Sequence, residues 1–171
     1  MSFHPQVRLA TRADARWIAE LSRDRIEHGL GWSWTASRVA RSIAAPDTNV
    51  VLACDGAQRL GFGAMRYHDD EAHLLLLAVE SWQARRGVGR LLVGWLEESA
   101  RCAGIGQVYL EARAVNAAAR AFYQRLGYRE CELVAGYYQG REASVRMAHD
   151  LWSAAPAAAG GSPDRQPRRG S

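Results

Sequence analysis

Residues 85–90, Arg-Arg-Gly-Val-Gly-Arg, bring two glycines and three guanidinium groups to one point of the chain. The run before them, His73-Leu-Leu-Leu-Leu-Ala-Val79, is short, apolar and without a helical gap. It reads as a strand buried on both faces. After Gly87 the pattern turns helical, with Val88, Leu91, Leu92, Trp95, Leu96 and Ser99 on one face. A buried strand therefore passes through a glycine turn into a helix. The first N–H groups of a helix have no partner inside it, and the helix dipole favours an anion there. Gly87 and Gly89 let a ligand approach the backbone, and Arg85, Arg86 and Arg90 add positive charge. This arrangement suits the binding of phosphate. It is not a P-loop, because no Gly-Lys-Ser/Thr follows, nor the dinucleotide fingerprint, because Leu92 stands where a third glycine is needed. Taken alone, the motif also fits a tight turn ringed by solvated arginines.

The elements that position this corner belong to one domain. The chain has 171 residues, 48% hydrophobic and 23% charged, which suits a single globular core over residues 1–152. Residues 153–171, rich in Ala, Pro, Gly and Arg, read as a flexible tail with nothing to bury. No apolar run reaches membrane-spanning length, and the first residues lack the apolar core of a signal peptide, so the expectation is a cytoplasmic protein with no membrane partner. Net charge is +4 and every basic residue is Arg. Arg165, Arg168 and Arg169 against Asp164 put half of that excess in the tail. The body is too weakly basic to argue for nucleic acid. Cys54, Cys102 and Cys131 show no metal-ligand spacing, so no metal is expected and the three read as small core residues.

In chain order, Val7–Ala10 reads as a strand. Thr11-x-x-Asp14 looks like a capping box before a helix that buries Ile18, Leu21, Ser22 and Ile26. Gly29-Leu-Gly31 stops that helix, and a second runs from Thr35 to Ala45, before Pro46. Trp32 and Trp34 fall on the intervening loop, where they either plug the core or wall a cleft. Asn49–Cys54, Leu60–His68 and the central strand form a meander through Asp55-Gly56 and Asp69-Asp70. The strand over 108–113 follows a helical crossover and should run parallel to the central one, with Tyr109, Glu111 and Arg113 opposite Val108, Leu110 and Ala112. A helix over 116–126 carries a core stripe of Ala119, Phe122 and Leu126, with Asn116 and Tyr123 sharing a face beside it. Two strands, Tyr128–Ala135 and Glu142–Leu151, close the domain.

This succession resembles the GNAT superfamily of acetyl-CoA-dependent N-acetyltransferases. Two blocks carry the likeness. Val79-x7-Gly87-Val88-Gly89-Arg90 is similar to the superfamily's pyrophosphate loop. Asn116-Ala-Ala-Ala-Arg-Ala-Phe-Tyr123-x3-Gly127-Tyr128 is similar to its Asn-x-x-Ala-x-x-Phe-Tyr-x-x-x-Gly-Phe block. Leu110-Glu111-Ala112-Arg113 and Tyr137-Tyr138-Gln-Gly-Arg141-Glu142 resemble the ribosomal-protein-alanine N-acetyltransferases. Three stretches depart from the pattern. Ala84 stands where a Gln or Arg is usual, with Gln83 one place earlier, and Gly31-Trp-Ser-Trp34 and the turn at 138–141 differ on the acceptor side.

The resemblance implies a mixed α/β fold: a mostly antiparallel seven-stranded sheet, about four helices on both faces, and a splayed central parallel pair. It implies acetyl-CoA as donor. The expected donor contacts are Leu77, Ala78 and Val79 by their backbone, Arg85, Arg86, Gly87, Val88, Gly89 and Arg90 at the loop, and Asn116 and Tyr123 on the second wall. Tyr123 would protonate the leaving thiolate. Glu111 would accept the amine proton, directly or through water; His73, at the start of the central strand, is the other candidate, and a pair between Glu111 and Arg113 is the structural alternative. Trp32, Trp34, Tyr137 and Tyr138 are the expected acceptor-binding residues. An α-amine, with a pKa near ~8, is easier to neutralise at pH 7 than a lysine amine near ~10.4, by about 3 kcal/mol. The implied function is acetyl transfer to a primary amine in a ternary complex, with a protein or peptide N-terminus as acceptor. Alternatives are a small-molecule amine or a CoA-sensing module without turnover, and the protein is expected as a monomer or homodimer.

Overall fold

The computed structural model describes residues 2–138 and 142–153, without the side chains of Tyr137 and Tyr138. The expected tail from residue 154 and the turn over 139–141 lie outside these residues. The strands are β1 (Gln6–Leu9), β2 (Thr48–Asp55), β3 (Gln58–Tyr67), β4 (Glu71–Val79), β5 (Gln107–Arg113), β6 (Arg129–Tyr138) and β7 (Glu142–Asp150). The helices are α1 (Ala15–Arg25), α2 (Ala36–Ala44), α3 (Val88–Cys102) and α4 (Ala117–Arg125). The strands form one sheet in the order β1-β2-β3-β4-β5-β7-β6. All neighbours are antiparallel except β4 and β5, which the α3 crossover makes parallel. This is the mixed α/β architecture the sequence implies. Among the described residues no helix is long and apolar enough to cross a membrane.

Helices cover both faces and make two cores. Ile18, Leu21 and Val39 of α1 and α2 pack on Leu52, Phe62, Leu76 and Ala78. Val88, Leu92, Val93 and Leu96 of α3 pack on Val51, Met65, Leu74 and Leu110, with Phe122 and Tyr123 of α4 and Leu126 at its C-cap at the margin. The start of α1 is pinned to the sheet. The buried Asp14 carboxylate accepts from the Thr11 backbone N–H at 2.8 Å and pairs with Arg8 of β1 at 2.8 Å and Arg59 of β3 at 2.9 Å. The expected capping box is thus also a clamp between three elements.

A bulge in β4 decides which face its side chains see. Met65 pairs with Leu74 and Ala64 with Leu76, so Leu75 is an extra residue. Strict alternation would keep residues 72, 74, 76 and 78 on one face. Instead Ala72 and Leu74 enter the α3 core, whereas Leu76 and Ala78 enter the α1–α2 core. The bulge switches the strand's faces midway. Pairing of β4 with β5 stops nearby: Glu71, Ala72 and His73 pair with Gln107, Val108 and Tyr109, and no pair follows. Beyond that point the two strands splay.

Four details differ from the sequence reading. The β4 strand is not buried on both faces; buried and half-buried residues alternate, because the odd-numbered ones border the splay or the helix margins. The α3 stripe is rotated: Leu91 is exposed, and Val93 and Glu97 are buried instead. The α4 stripe of Ala119, Phe122 and Leu126 is only half-buried, since this helix lies over the divergent strands rather than over a closed sheet. Only Cys54 is buried; Cys102 ends α3 on its outer side and Cys131 sits on the edge strand β6, both exposed.

Candidate active site

The corner between β4 and α3 has the geometry its glycines require. Gly87 is the N-cap of α3 with φ 82°, and a Cβ added there would meet nothing within 4 Å. Gly89 lies against Phe122: an added Cβ would stand 3.1 Å from that ring, closing the corner toward α4. Among the described residues no side chain caps the first turn, so the N–H groups of Val88, Gly89 and Arg90 point outward without an internal acceptor. Arg85 holds a left-handed backbone with φ 64°, unusual for a residue with a side chain. Arg85 and Arg90 are exposed beside the turn. Arg86 instead lays its guanidinium over the Phe3 ring at 3.8 Å, so its side chain serves the N-terminal segment. Gln83 is buried and its Oε1 has no hydrogen-bond partner. Uncapped amides flanked by two guanidiniums form a donor set that fits a diphosphate.

The splay opens a cleft of about 540 Å³. Leu74, Leu75, Leu76 and Leu77 line it on the β4 side, and Leu110, Glu111 and Ala112 on the β5 side. Of the expected backbone donors, Leu77 lines the cleft; Ala78 and Val79 pair with Phe62 and Gly61 of β3 and lead on to the corner. The cleft passes through the sheet. His73 and Glu111 stand on the α1–α2 face, opposite Ala72, Leu74, Leu110 and Ala112, which pack in the α3 core. Tyr123 and Asn116 approach from α4 on the other side, and both line the cleft.

The two candidate bases are one unit. His73 Nε2 lies 2.6 Å from Glu111 Oε2, and the two side chains are 18% and 10% exposed. The His73 ring stacks on Tyr109 at 4.3 Å and 15°. Burial, and then the Glu71 carboxylate, raise the Tyr109 pKa above its ordinary value. Arg113 binds Glu142 through two hydrogen bonds of 2.6 Å and donates to the His28 carbonyl at 2.9 Å. The guanidinium ties β5 to β7 and to the turn after α1.

On the second wall, Asn116 is the N-cap of α4: its Oδ1 accepts from the Ala119 N–H at 3.0 Å. Its amide NH2 remains available as a donor, and the residue lines the cleft. Tyr123 is held edge-on between Phe122 at 5.1 Å and Tyr128 at 5.5 Å. Behind it lies a network with no signal in the sequence. The buried Glu97 accepts from the Tyr128 hydroxyl at 3.1 Å and lies 3.2 Å from His149 Nδ1. Burial, with the Glu97 carboxylate adding to it, pushes the Tyr128 phenol well above its usual pKa.

The loop between α1 and α2 forms the outer wall. Trp34 lines the cleft, beneath Arg38 at 4.0 Å. Trp32 does not; it is exposed, with Arg23 5.3 Å from its ring. The buried Glu27 holds this loop, accepting from the Ser33 N–H at 2.6 Å, the Ser33 hydroxyl at 2.9 Å and the Trp34 N–H at 3.0 Å. Glu27 had no sequence signal, because its donors are two backbone N–H groups and a serine hydroxyl of a loop without periodicity. Arg38 and Arg66 also line the cleft; Arg66 could have been found from the hairpin register that sets it opposite His73. The side chains of the expected acceptor residues Tyr137 and Tyr138 lie outside the described part.

The acetyltransferase (GNAT) family model matches residues 15–128, and the chain belongs to this family. Within it, the chain is similar to the ribosomal protein bS18-alanine N-acetyltransferase of Salmonella typhimurium. The two are 42% identical over 82 residues, which make up 46% of this chain and 55% of that protein. The chain thus spans about half the length of the curated relatives it matches first. The N-alpha-acetyltransferase RimI of Mycobacterium tuberculosis is 32% identical over 133 residues, 75% of this chain and 81% of that protein. The crystal structure of the ribosomal-protein-S18-alanine N-acetyltransferase from Escherichia coli superposes with a TM-score of 0.76 at 25% identity. The match covers 91% of this chain and 99% of that one.

Proposed function

We propose that this protein transfers an acetyl group from acetyl-CoA to the α-amine of a protein or peptide N-terminus, by direct attack in a ternary complex. The observation that carries this reading is the pairing of His73 with Glu111 in the same through-sheet cleft that Tyr123 lines from the opposite face. Bound acetyl-CoA would supply an activated thioester carbonyl. The amides of Val88, Gly89 and Arg90, with Arg85 and Arg90, hold its diphosphate, and the Asn116 amide donates from the second wall. Backbone N–H groups of the splayed segment Leu75–Leu77 meet negative charge developing on the carbonyl oxygen. The His73–Glu111 pair takes the proton from the attacking amine, and Tyr123 gives one to the departing thiolate. Acid and base then work from opposite faces of the sheet, so neither shortcuts the other. None of the three cysteines lines the cleft, which favours direct attack over an acyl-enzyme route.

The test is a thermal-shift titration with acetyl-CoA, followed by thiol-release assays on peptides beginning with Ala, Ser or Met and on free small amines. Stabilisation by acetyl-CoA together with turnover on peptides is expected. Turnover on small amines alone refutes the peptide acceptor, and no affinity for coenzyme A refutes the whole reading.

A further inference from the structure

Resting on the reading of a peptide acceptor, we propose that the outer wall of the cleft is an anion subsite, which selects acceptors carrying carboxylate side chains shortly after the N-terminal residue. Arg38 of α2 and Arg66 of β3 line the main cleft together with Trp34. The same three residues line a second cavity of about 270 Å³, which Arg41, Ser42 and Ala45 complete. The two cavities share this wall. Three guanidiniums border the second cavity, and no acidic side chain does.

The charge there is poorly compensated. Asp47 lies 3.9 Å from Arg66 Nε, at the limit of an ion pair, and both side chains are about half exposed. Among the described residues neither Arg38 nor Arg41 has a carboxylate within ion-pair distance. The nearby acids are engaged elsewhere. Glu27 holds Ser33 and Trp34, Glu111 holds His73, and Glu142 holds Arg113. Arg38 is preset by the Trp34 ring beneath it, and Glu27 fixes the backbone of Trp34. Guanidiniums gathered on a concave wall repel one another and attract an anion that relieves the repulsion.

Position relates the cluster to the reaction. Arg66 and His73 are directly opposed on β3 and β4. The side chains of such a pair leave the same face with Cβ atoms about 5 Å apart. An extended peptide advances about 3.3 Å per residue. A peptide whose amine reaches the His73–Glu111 pair therefore brings its second to fourth side chains to the arginine wall.

The experiment compares three hexapeptides of the same length beginning with Ala, with Glu, Gln or Arg at residues 2–4, in initial-rate assays at saturating acetyl-CoA. The Glu peptide should show the lowest KM, about tenfold below the Gln peptide, and the Arg peptide the highest. The advantage should shrink in 0.5 M salt, by about the screening expected of partly exposed charges. Arg41→Glu, and the milder Arg41→Gln, should remove the preference for the Glu peptide, with coenzyme A affinity reporting that each variant is folded. Equal KM values for the Glu and Gln peptides, or preference for the Arg peptide, would overturn the subsite while leaving peptide acetylation intact. Activity on small amines with none on any peptide would overturn the subsite and the peptide acceptor together.

Discussion

Replacing Glu111 with Gln tests the proton path. The amide keeps the size of the side chain and can still hydrogen-bond His73 across the 2.6 Å contact, but it cannot hold a proton. Arg113 lines the cleft but pairs with Glu142, so the substitution leaves that ion pair in place. A positioned base contributes about 10²–10⁴-fold; with His73 still present, the lower end applies. We expect kcat/KM at pH 7 to fall about 10²-fold. Part of that loss should return with pH. An α-amine of pKa near 8 is about one-tenth neutral at pH 7 and about nine-tenths neutral at pH 9. A variant that must draw neutral amine from solution should therefore regain about tenfold between those values, whereas the wild type, which neutralises the bound ammonium itself, should rise less. The assay is thiol release from acetyl-CoA with an Ala-terminated peptide at pH 6–9. A wild-type rate for Glu111→Gln at pH 7, or the same relative loss at every pH, would refute the assignment and pass the role to His73 or solvent.

Tyr123→Phe should leave acetyl-CoA affinity within about twofold and lower turnover at least about tenfold, because a thiolate of pKa roughly 8.5 then departs without a donor; calorimetric titration beside steady-state rates separates the two, and unchanged turnover removes Tyr123 from the mechanism. Glu97→Ala strands the Tyr128 hydroxyl and His149 and should cost about 3 kcal/mol, lowering Tm by about 6–12 °C in a calorimetric scan; a fall under 2 °C would show that the network contributes little. Asp14 is held well below the ordinary carboxylate pKa, first by its hydrogen bond to Arg8 and also by Thr11 and Arg59. A carboxyl lowered in the folded state adds stability above its unfolded pKa of about 3.9 and loses it as pH falls toward the folded value. The urea midpoint of the wild type should therefore drop more steeply below about pH 4 than that of Asp14→Asn, and parallel acid limbs would sink this account.

The glycine corner and the α4 block are legible in the sequence, because both are local. A φ of 82° at Gly87 and uncapped amides after it follow from residue types within one turn. That Asn116 and Tyr123 stand two turns apart and share a face follows from helical spacing; that Asn116 caps α4 is what the structure adds. The parallel β4–β5 pair followed from the crossover between them. Burial was less legible. Leu91 and Val93 are both apolar and differ only in which side of α3 the sheet occupies, and Cys102 and Cys131 carry no mark of exposure in their neighbours.

The residue types able to do chemistry, and the order of elements that carries them, are properties of the chain itself, because helix caps, glycine turns and strand alternation act over a few residues. The tertiary structure alone decided how those residues meet. The extra residue Leu75 switches the faces of β4, the loss of pairing after His73 opens the sheet, and 38 positions of chain separate two side chains whose atoms come within 2.6 Å. Contacts of that range depend on how seven strands stack and diverge, which no window of sequence holds.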